Sequence, residues 1–124
     1  MLRIVSPYGV VLLPADIERR SEIRLLRNSP GRLSADVLIA PHHGSRTSST
    51  AEFVRAVAPR LVVFTVGYRN RFGHPHPAVV RRYREQGSEL VRTDVAGAVR
   101  VRMSRSGIET SGWRQLERRY WQGR

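Results

Sequence analysis

Leu61 to Val66 is a run of apolar and β-branched residues, the pattern of a buried strand rather than one with a wet face. A chain that holds such a strand must cover it with other elements, and the flanking segments supply them. Leu2 to Val5 and Val10 to Leu13 read as short strands joined by a Ser6-Pro7-Tyr8-Gly9 turn. Ile17 to Arg27 spaces Ile17, Ile23, Leu25 and Leu26 among charges, as an amphipathic helix does, and Asn28-Ser29-Pro30-Gly31 ends it. Asp36 to Ala40 is the next strand. Ala51, Phe53, Val54 and Val57 fit a helix capped by Ser48 or Ser49 and stopped before Pro59. Pro77 starts a helix to Gln86, with Gly87 at its end. Glu89 to Arg92 and Ala98 to Met103 read as strands bracketing a turn at Asp94-Val95-Ala96-Gly97, and Ile108 to Thr110 as a short last strand after the Ser106-Gly107 turn. Strands alternating with helices in this order specify an α/β fold.

The length of 124 residues suits one domain or part of one. No apolar run approaches the roughly 18–20 residues that span a bilayer, and Met1 to Pro14 lacks a signal-peptide layout, so the chain itself is expected to be soluble. Cysteine is absent, which excludes disulfides and thiolate metal ligands; any metal must be held by His, Asp, Glu or water. The net charge is +12, and all 22 basic residues are arginine. Guanidinium groups match phosphate oxygens in pairs, so nucleic acid or another phosphate polymer is the expected partner. GC-rich coding would account for arginine in place of lysine but not for the excess of positive charge.

The four histidines fall in two short loops, each following an expected strand. Pro41-His42-His43-Gly44-Ser45-Arg46-Thr47-Ser48-Ser49 follows Asp36 to Ala40, and Gly73-His74-Pro75-His76-Pro77 follows the strand at Leu61 to Val66. Asp16 follows Val10 to Leu13. Ligand sites in layered α/β sheets favour the edge where strands end, so these residues are expected to meet there. Asp16 is a metal-ligand candidate whose simpler reading is a helix N-cap. Being adjacent, His42 and His43 should diverge, one entering the site and the other turning largely away. His74 and His76 flank Pro75 and suit phosphate contact or protonation of a leaving oxygen; the alternative is a stiff loop that starts a helix. Arg69 and Arg71 are candidate phosphate ligands. Ser45 and Thr47 are expected to bind phosphate or cap, Ser48 and Ser49 to cap. Thr93-Asp94 with Gly97 reads as a turn. Trp113, Arg114, Arg118, Arg119, Tyr120, Trp121 and Arg124 mix guanidinium and aromatic faces, as a single-strand binder or an untethered basic terminus would.

Further strings carry a family likeness: Val11-Leu12-Leu13-Pro14-Ala15-Asp16-Ile17-Glu18 with Glu22 and Leu25-Leu26, then Ala35-Asp36-Val37-Leu38 into the first histidine loop. They continue with Val66-Gly67, Asn70-Arg71-Phe72 into the second histidine loop, and Arg92-Thr93-Asp94 before Gly97. In this order they resemble the C-terminal half of the metallo-β-lactamase-like domain of ComEC-type DNA-internalisation competence proteins. The resemblance covers residues 1–112 and leaves 113–124 as a basic, aromatic tail.

The resemblance implies part of an αββα sandwich, with a mixed sheet and flanking helices, and two divalent ions, zinc or manganese, acting on DNA phosphodiesters in natural transformation. It matches Asp16 to the family's bridging aspartate and one of His42 and His43 to its last histidine ligand. His74 and His76 match a pair expected to face the substrate; Ser45, Arg46, Thr47, Arg69 and Arg71 are, on their own chemistry, the expected substrate-binding residues. Members are inner-membrane proteins of bacteria, so the implied partners are DNA and the remainder of a membrane protein, with a second copy of the chain as a further one. Two departures stand out. Ala15 occupies a position where the family has glycine, and the H-x-H-x-D-H ligand motif is absent. The chain is therefore expected to be a fragment that alone binds metal weakly and cleaves little. A non-catalytic DNA-binding module and a hydrolase of smaller phosphate esters are the alternative readings.

Overall fold

A computed structural model describes residues 1–116. Five strands form one sheet in sequence order: β1 (Leu2–Ser6), β2 (Gly9–Leu13), β3 (Val37–Ile39), β4 (Leu61–Phe64) and β5 (Glu89–Arg92). β1 runs antiparallel to β2, and the remaining neighbours are parallel, with Val11 opposite Val37, Val37 opposite Leu61 and Leu61 opposite Glu89. Helices α1 (Arg19–Asn28), α2 (Ala51–Val57) and α3 (Pro77–Glu85) make the three parallel crossovers.

Side chains alternate along a strand, so β4 serves two cores at once. Val62 and Phe64 join Leu12 and Leu38 on one face, under Phe53, Val54, Val57, Val79 and Tyr83 from the helices. Leu61 and Val63 join Val37 on the other face. That second face is covered by Val99, Val101, Met103 and Ile108 of an antiparallel hairpin, β6 (Val99–Ser104) and β7 (Gly107–Gly112). All four β4 residues are buried, as the run of apolar residues requires. Each such side chain contributes about 2 kcal/mol of hydrophobic stabilisation.

The expected α/β layout with a mixed sheet is observed, with helices on one face and a two-stranded sheet on the other. Three local readings differ. Thr50 caps α2 by accepting from the Phe53 N–H at 3.3 Å, whereas Ser48 and Ser49 are buried one step earlier. β5 and β6 do not form a hairpin: the short helix α4 (Thr93–Ala96) carries the chain from the first sheet to the second. The last strand is longer than Ile108 to Thr110, because it pairs with β6 along six residues of each. A short helix α5 (Trp113–Leu116) follows; Arg118, Arg119, Tyr120, Trp121 and Arg124 lie outside the described residues.

β1 is one of the sheet's two edge strands, and every one of its residues is exposed. Leu2, Ile4 and Val5 stand 47–63% in water. Among the described residues, no helix is long and apolar enough to cross a membrane.

Candidate functional site

β2, β3 and β4 are parallel neighbours, so the loops leaving their C-terminal ends share one rim. Backbone contacts then lock the loops together. The His42 N–H donates to the Ala15 carbonyl at 3.1 Å, and the His76 N–H to the Gly44 carbonyl at 2.9 Å. Gly44 has φ +83°, and a Cβ there would lie 2.7 Å from Pro75 Cβ and 2.8 Å from the Phe64 ring. Only glycine lets the two histidine loops approach this closely. Ala15 has φ +60°. An L side chain in this left-handed region costs about 1–2 kcal/mol, which gives the glycine-to-alanine departure a physical meaning: the sharp turn that presents Asp16 is kept at a cost in strain.

His42 (φ 48°) and His43 (φ 57°) are both left-handed too. Two successive residues in this region do not alternate as strand residues do, and both rings meet acids on the β2 loop. The expected divergence of the pair is not seen. The His43 ring nitrogen Nδ1 lies 2.8 Å from the Thr65 carbonyl, a pure acceptor, so Nδ1 carries the proton. Nε2 then faces Asp16 Oδ1 at 3.6 Å. A lone pair facing a carboxylate is unfavourable unless a proton or a metal cation lies between them. His42 Nδ1 lies 3.3 Å from Glu18 Oε1, and the Thr47 hydroxyl donates to the same carboxylate oxygen at 2.9 Å.

These donor distances can be set against a metal's needs. Zinc-to-nitrogen and zinc-to-oxygen bonds near 2.0–2.2 Å at tetrahedral angles separate two ligand atoms by about 3.3 Å. The Asp16–His43 spacing of 3.6 Å and the Glu18–His42 spacing of 3.3 Å are of that size. Each pair offers one carboxylate oxygen and one imidazole nitrogen, a donor set suited to zinc or manganese. Among the described residues, no group of three His, Asp or Glu side chains converges on one point. The donors come in pairs.

The second loop divides its histidines. His74 enters the site: its ring lies 6.2 Å from that of His42 and stacks on Phe72 at 6.0 Å. Asn70 clasps its backbone, donating to the His74 carbonyl at 2.8 Å and accepting from its N–H at 2.9 Å. Partial burial, then the neighbouring His42, His43 and His76, hold the His74 imidazole below its ordinary value of 6.5. A neutral ring at pH 7 can donate one N–H but is a poor proton donor to a leaving group. His76 instead caps α3, its Nδ1 accepting from the Ala78 N–H at 3.2 Å. The His74–Pro75 peptide is cis.

The pH consequence has a definite sign. Protonating His74 is harder in the folded protein than in the unfolded chain, so its contribution to stability is full above about pH 6.5 and is lost as the pH falls through the lower folded value. The melting temperature should therefore decline on acidification from about pH 7 to pH 5, and His74→Gln should flatten part of that decline. Identical pH profiles for the two proteins would contradict the placement.

The hydroxyl row is mostly inward. Ser45 is buried, and its hydroxyl accepts from the Thr47 N–H; Ser48 donates to the Pro41 and Ser45 carbonyls. Thr47 alone of the four is exposed at the site, where it is bonded to Glu18. Arg46 is exposed and lines a groove of about 500 Å³ with Arg19, Arg20, Arg82, Glu18 and Thr47. Arg69 and Arg71 lie on the loop ahead of His74, their guanidinium carbons 5.2 Å from the Tyr68 ring centre and 5.8 Å from that of Phe72. Thr93 is structural: its hydroxyl accepts from the Val66 N–H and donates to the Val66 carbonyl. Asp94 takes two hydrogen bonds from Arg92, which hold its carboxyl below the usual range.

Two acids were not assigned a role by sequence reasoning. Glu18 sits two residues beyond Asp16, on the same turn. Glu22 is completely buried and accepts from the Ser49 and Thr50 N–H groups. Its signal was available: it lies three and four positions before Leu25 and Leu26, on the apolar face of α1.

Comparison with known proteins adds an independent line. Competence protein ComA of Neisseria gonorrhoeae is 37% identical over 122 residues, 98% of this chain and 18% of that protein. ComE operon protein 3 of Bacillus subtilis is 32% identical over 91 residues, 73% of this chain and 12% of its own length. Recombination protein 2 of Haemophilus influenzae is 32% identical over 99 residues, 80% and 12% respectively. The chain thus spans less than a fifth of each of these relatives. Together they support a competence and DNA-uptake family. No protein-family model and no solved structure matches the chain.

Proposed function

We propose that the chain is a segment of a DNA-uptake protein and forms one wall of a divalent-metal site that hydrolyses nucleic-acid phosphodiesters. The observation that carries this reading is the placement of the His43 ring between the Thr65 carbonyl and Asp16. With Nδ1–H donated to the Thr65 carbonyl, Nε2 faces Asp16 Oδ1 across 3.6 Å, a gap that a divalent cation can bridge. Second-partner bonds of this kind orient metal-bound histidines.

Asp16 and His43 would hold one ion, and His42, oriented by Glu18 and Thr47, would offer the next imidazole. A divalent ion bound there supplies a polarised phosphoryl oxygen and a water of lowered pKa. The chain's own groups do the rest. Neutral His74 donates its one N–H toward a phosphate oxygen, and Arg46 beside Thr47 neutralises the strand. Pairs of ligands rather than a full cage fit a protein whose other ligands come from elsewhere, as the metallo-β-lactamase resemblance implies. The exposed aliphatic side chains of β1 fit a sheet that continues against a further segment. The parent would be a membrane protein of the bacterial inner membrane.

A non-catalytic nucleic-acid module is the second reading, favoured by the charge of +12 and by the absence of a complete ligand cage among the described residues. Fluorescence anisotropy of the 124-residue chain with DNA oligonucleotides tests the shared premise and separates the two. Binding should weaken as salt rises, and Arg46→Ala should reduce the slope of log K against log salt by about 1. Under the metal reading zinc tightens binding and chelator reverses the gain; indifference to both favours the second reading. Binding that ignores salt would remove both.

A further inference from the structure

The groove of about 500 Å³ that shares Glu18 and Thr47 with the acid–histidine cluster draws four arginines from three parts of the chain. Arg19 and Arg20 come from the start of α1, Arg46 from the first histidine loop and Arg82 from α3. The walls are fastened to one another. The Arg19 N–H donates to the Thr47 carbonyl at 3.0 Å, and the half-buried Arg82 donates to the Ser49 carbonyl at 2.9 Å. The acids of the groove are already engaged: Glu18 is bonded to His42 and Thr47, and Glu52 lies 3.7 Å from Arg55. Among the described residues, none of the four arginines forms an ion pair. Setting Glu18 against one of them still leaves three positive charges uncompensated. Arg19 and Arg20 also stand in the first turn of a helix, where its dipole disfavours cations. Fold stability gives no reason for this arrangement, whereas an anionic ligand removes the repulsion.

We infer that the groove binds a terminal phosphate, the phosphomonoester of a strand end or of a free nucleotide. The inference rests on the function proposed above and adds a place for what the reaction releases. A phosphomonoester carries about −1.5 to −2 at pH 7, and a diester within a strand about half as much. Arginine forks meet phosphate oxygens in pairs, so three uncompensated guanidinium groups suit the more highly charged group. Hydrolysis of a phosphodiester leaves a phosphomonoester on one of the two new ends. Because Glu18 and Thr47 belong to both places, a phosphate released at the cluster has the groove beside it.

The test uses the 124-residue chain in chelator, so that bound metal plays no part. Its probes are an oligonucleotide phosphorylated at both ends, the same oligonucleotide with hydroxyl ends, and a deoxynucleoside monophosphate. The phosphorylated oligonucleotide should bind about tenfold more tightly than its counterpart. Arg19→Gln combined with Arg20→Gln should remove that difference; both side chains are exposed, and the Arg19 backbone bond to Thr47 survives the change. Arg100→Gln with Arg102→Gln, at two exposed positions of β6, should preserve the difference. Displacement of the phosphorylated strand by excess deoxynucleoside monophosphate assigns the groove to released nucleotides as well, and no displacement confines it to strand ends. Equal binding of the two oligonucleotides, or a difference that survives the Arg19 and Arg20 changes, would overturn the groove and leave the nucleic-acid partner standing. Failure of the chain to bind either oligonucleotide would remove both.

Discussion

Glu22→Ala is expected to lower the free energy of unfolding by about 3 kcal/mol. The carboxylate is fully buried and accepts from two successive backbone N–H groups, Ser49 and Thr50, the latter at 2.8 Å. Thr50 also caps α2. The same junction takes a hydrogen bond from Arg82 to the Ser49 carbonyl at 2.9 Å and one from the Tyr83 hydroxyl to the Ser49 hydroxyl at 2.8 Å. Ser49 itself is left-handed, with φ 57°. α1, α2 and α3 therefore meet on one residue held in a strained conformation. Truncating Glu22 orphans two buried donors at about 1–3 kcal/mol each and leaves a cavity, against a total stability of about 5–15 kcal/mol for a domain of this kind. Glu22→Gln retains one acceptor and should lose about half as much. Urea denaturation gives the difference; a loss below about 1 kcal/mol for Glu22→Ala, with an unchanged m-value, would contradict the clamp.

Gly44→Ala should be comparably severe, by a different route. The methyl group would sit 2.7 Å from Pro75 Cβ and within 2.9 Å of two carbons of the Phe64 ring, in a backbone conformation with φ +83°. The contacts are with a proline ring and a fully buried aromatic ring, neither of which can swing aside. Left-handed strain of about 1–2 kcal/mol adds to an overpacking cost of about 1–3 kcal/mol, for a combined loss of about 3–4 kcal/mol. The relief route is separation of the two loops, which breaks the His76 N–H to Gly44 carbonyl bond and carries His74 away from His42. Thermal unfolding and histidine-ring NMR should both change. Wild-type stability with the His42–His74 proximity intact would refute this account of how the loops are gathered.

The core was largely legible from the chain because its signals are local. The β4 run, the Pro77 helix start and the apolar spacing of Leu25 and Leu26 each report their own burial. The common rim could also be anticipated, since Asp16, the 42–43 pair and the 74–76 pair each follow a strand. What the rim would hold in detail could not, because backbone angles decide it. Left-handed φ values at His42 and His43 bring both rings to the acids, against the divergence that adjacency implies. His76 is taken by a helix cap, and Ser45, Ser48 and Ser49 by turn and core hydrogen bonds, so several residues with suitable chemistry are already committed. Glu18 was hidden by its ordinariness, since an acid at the start of a helix normally faces water, whereas Glu22 stood in plain sight on the apolar face of α1. The hairpin misreading at residues 89–103 has the same origin, since an Asp-Val-Ala-Gly turn looks identical whether its strands pair with each other or with different sheets.

The most direct measurement is a zinc titration of the 124-residue chain with ¹⁵N-labelled histidines, followed by ring-nitrogen NMR. The account predicts weak binding in which His43 Nε2 is the nitrogen most perturbed, while Nδ1 keeps its proton and its bond to Thr65. Asp16→Ala should abolish that perturbation without unfolding the chain. A His43 ring that ignores zinc, or one that responds equally with Asp16 removed, would contradict the metal site on which the proposed chemistry depends.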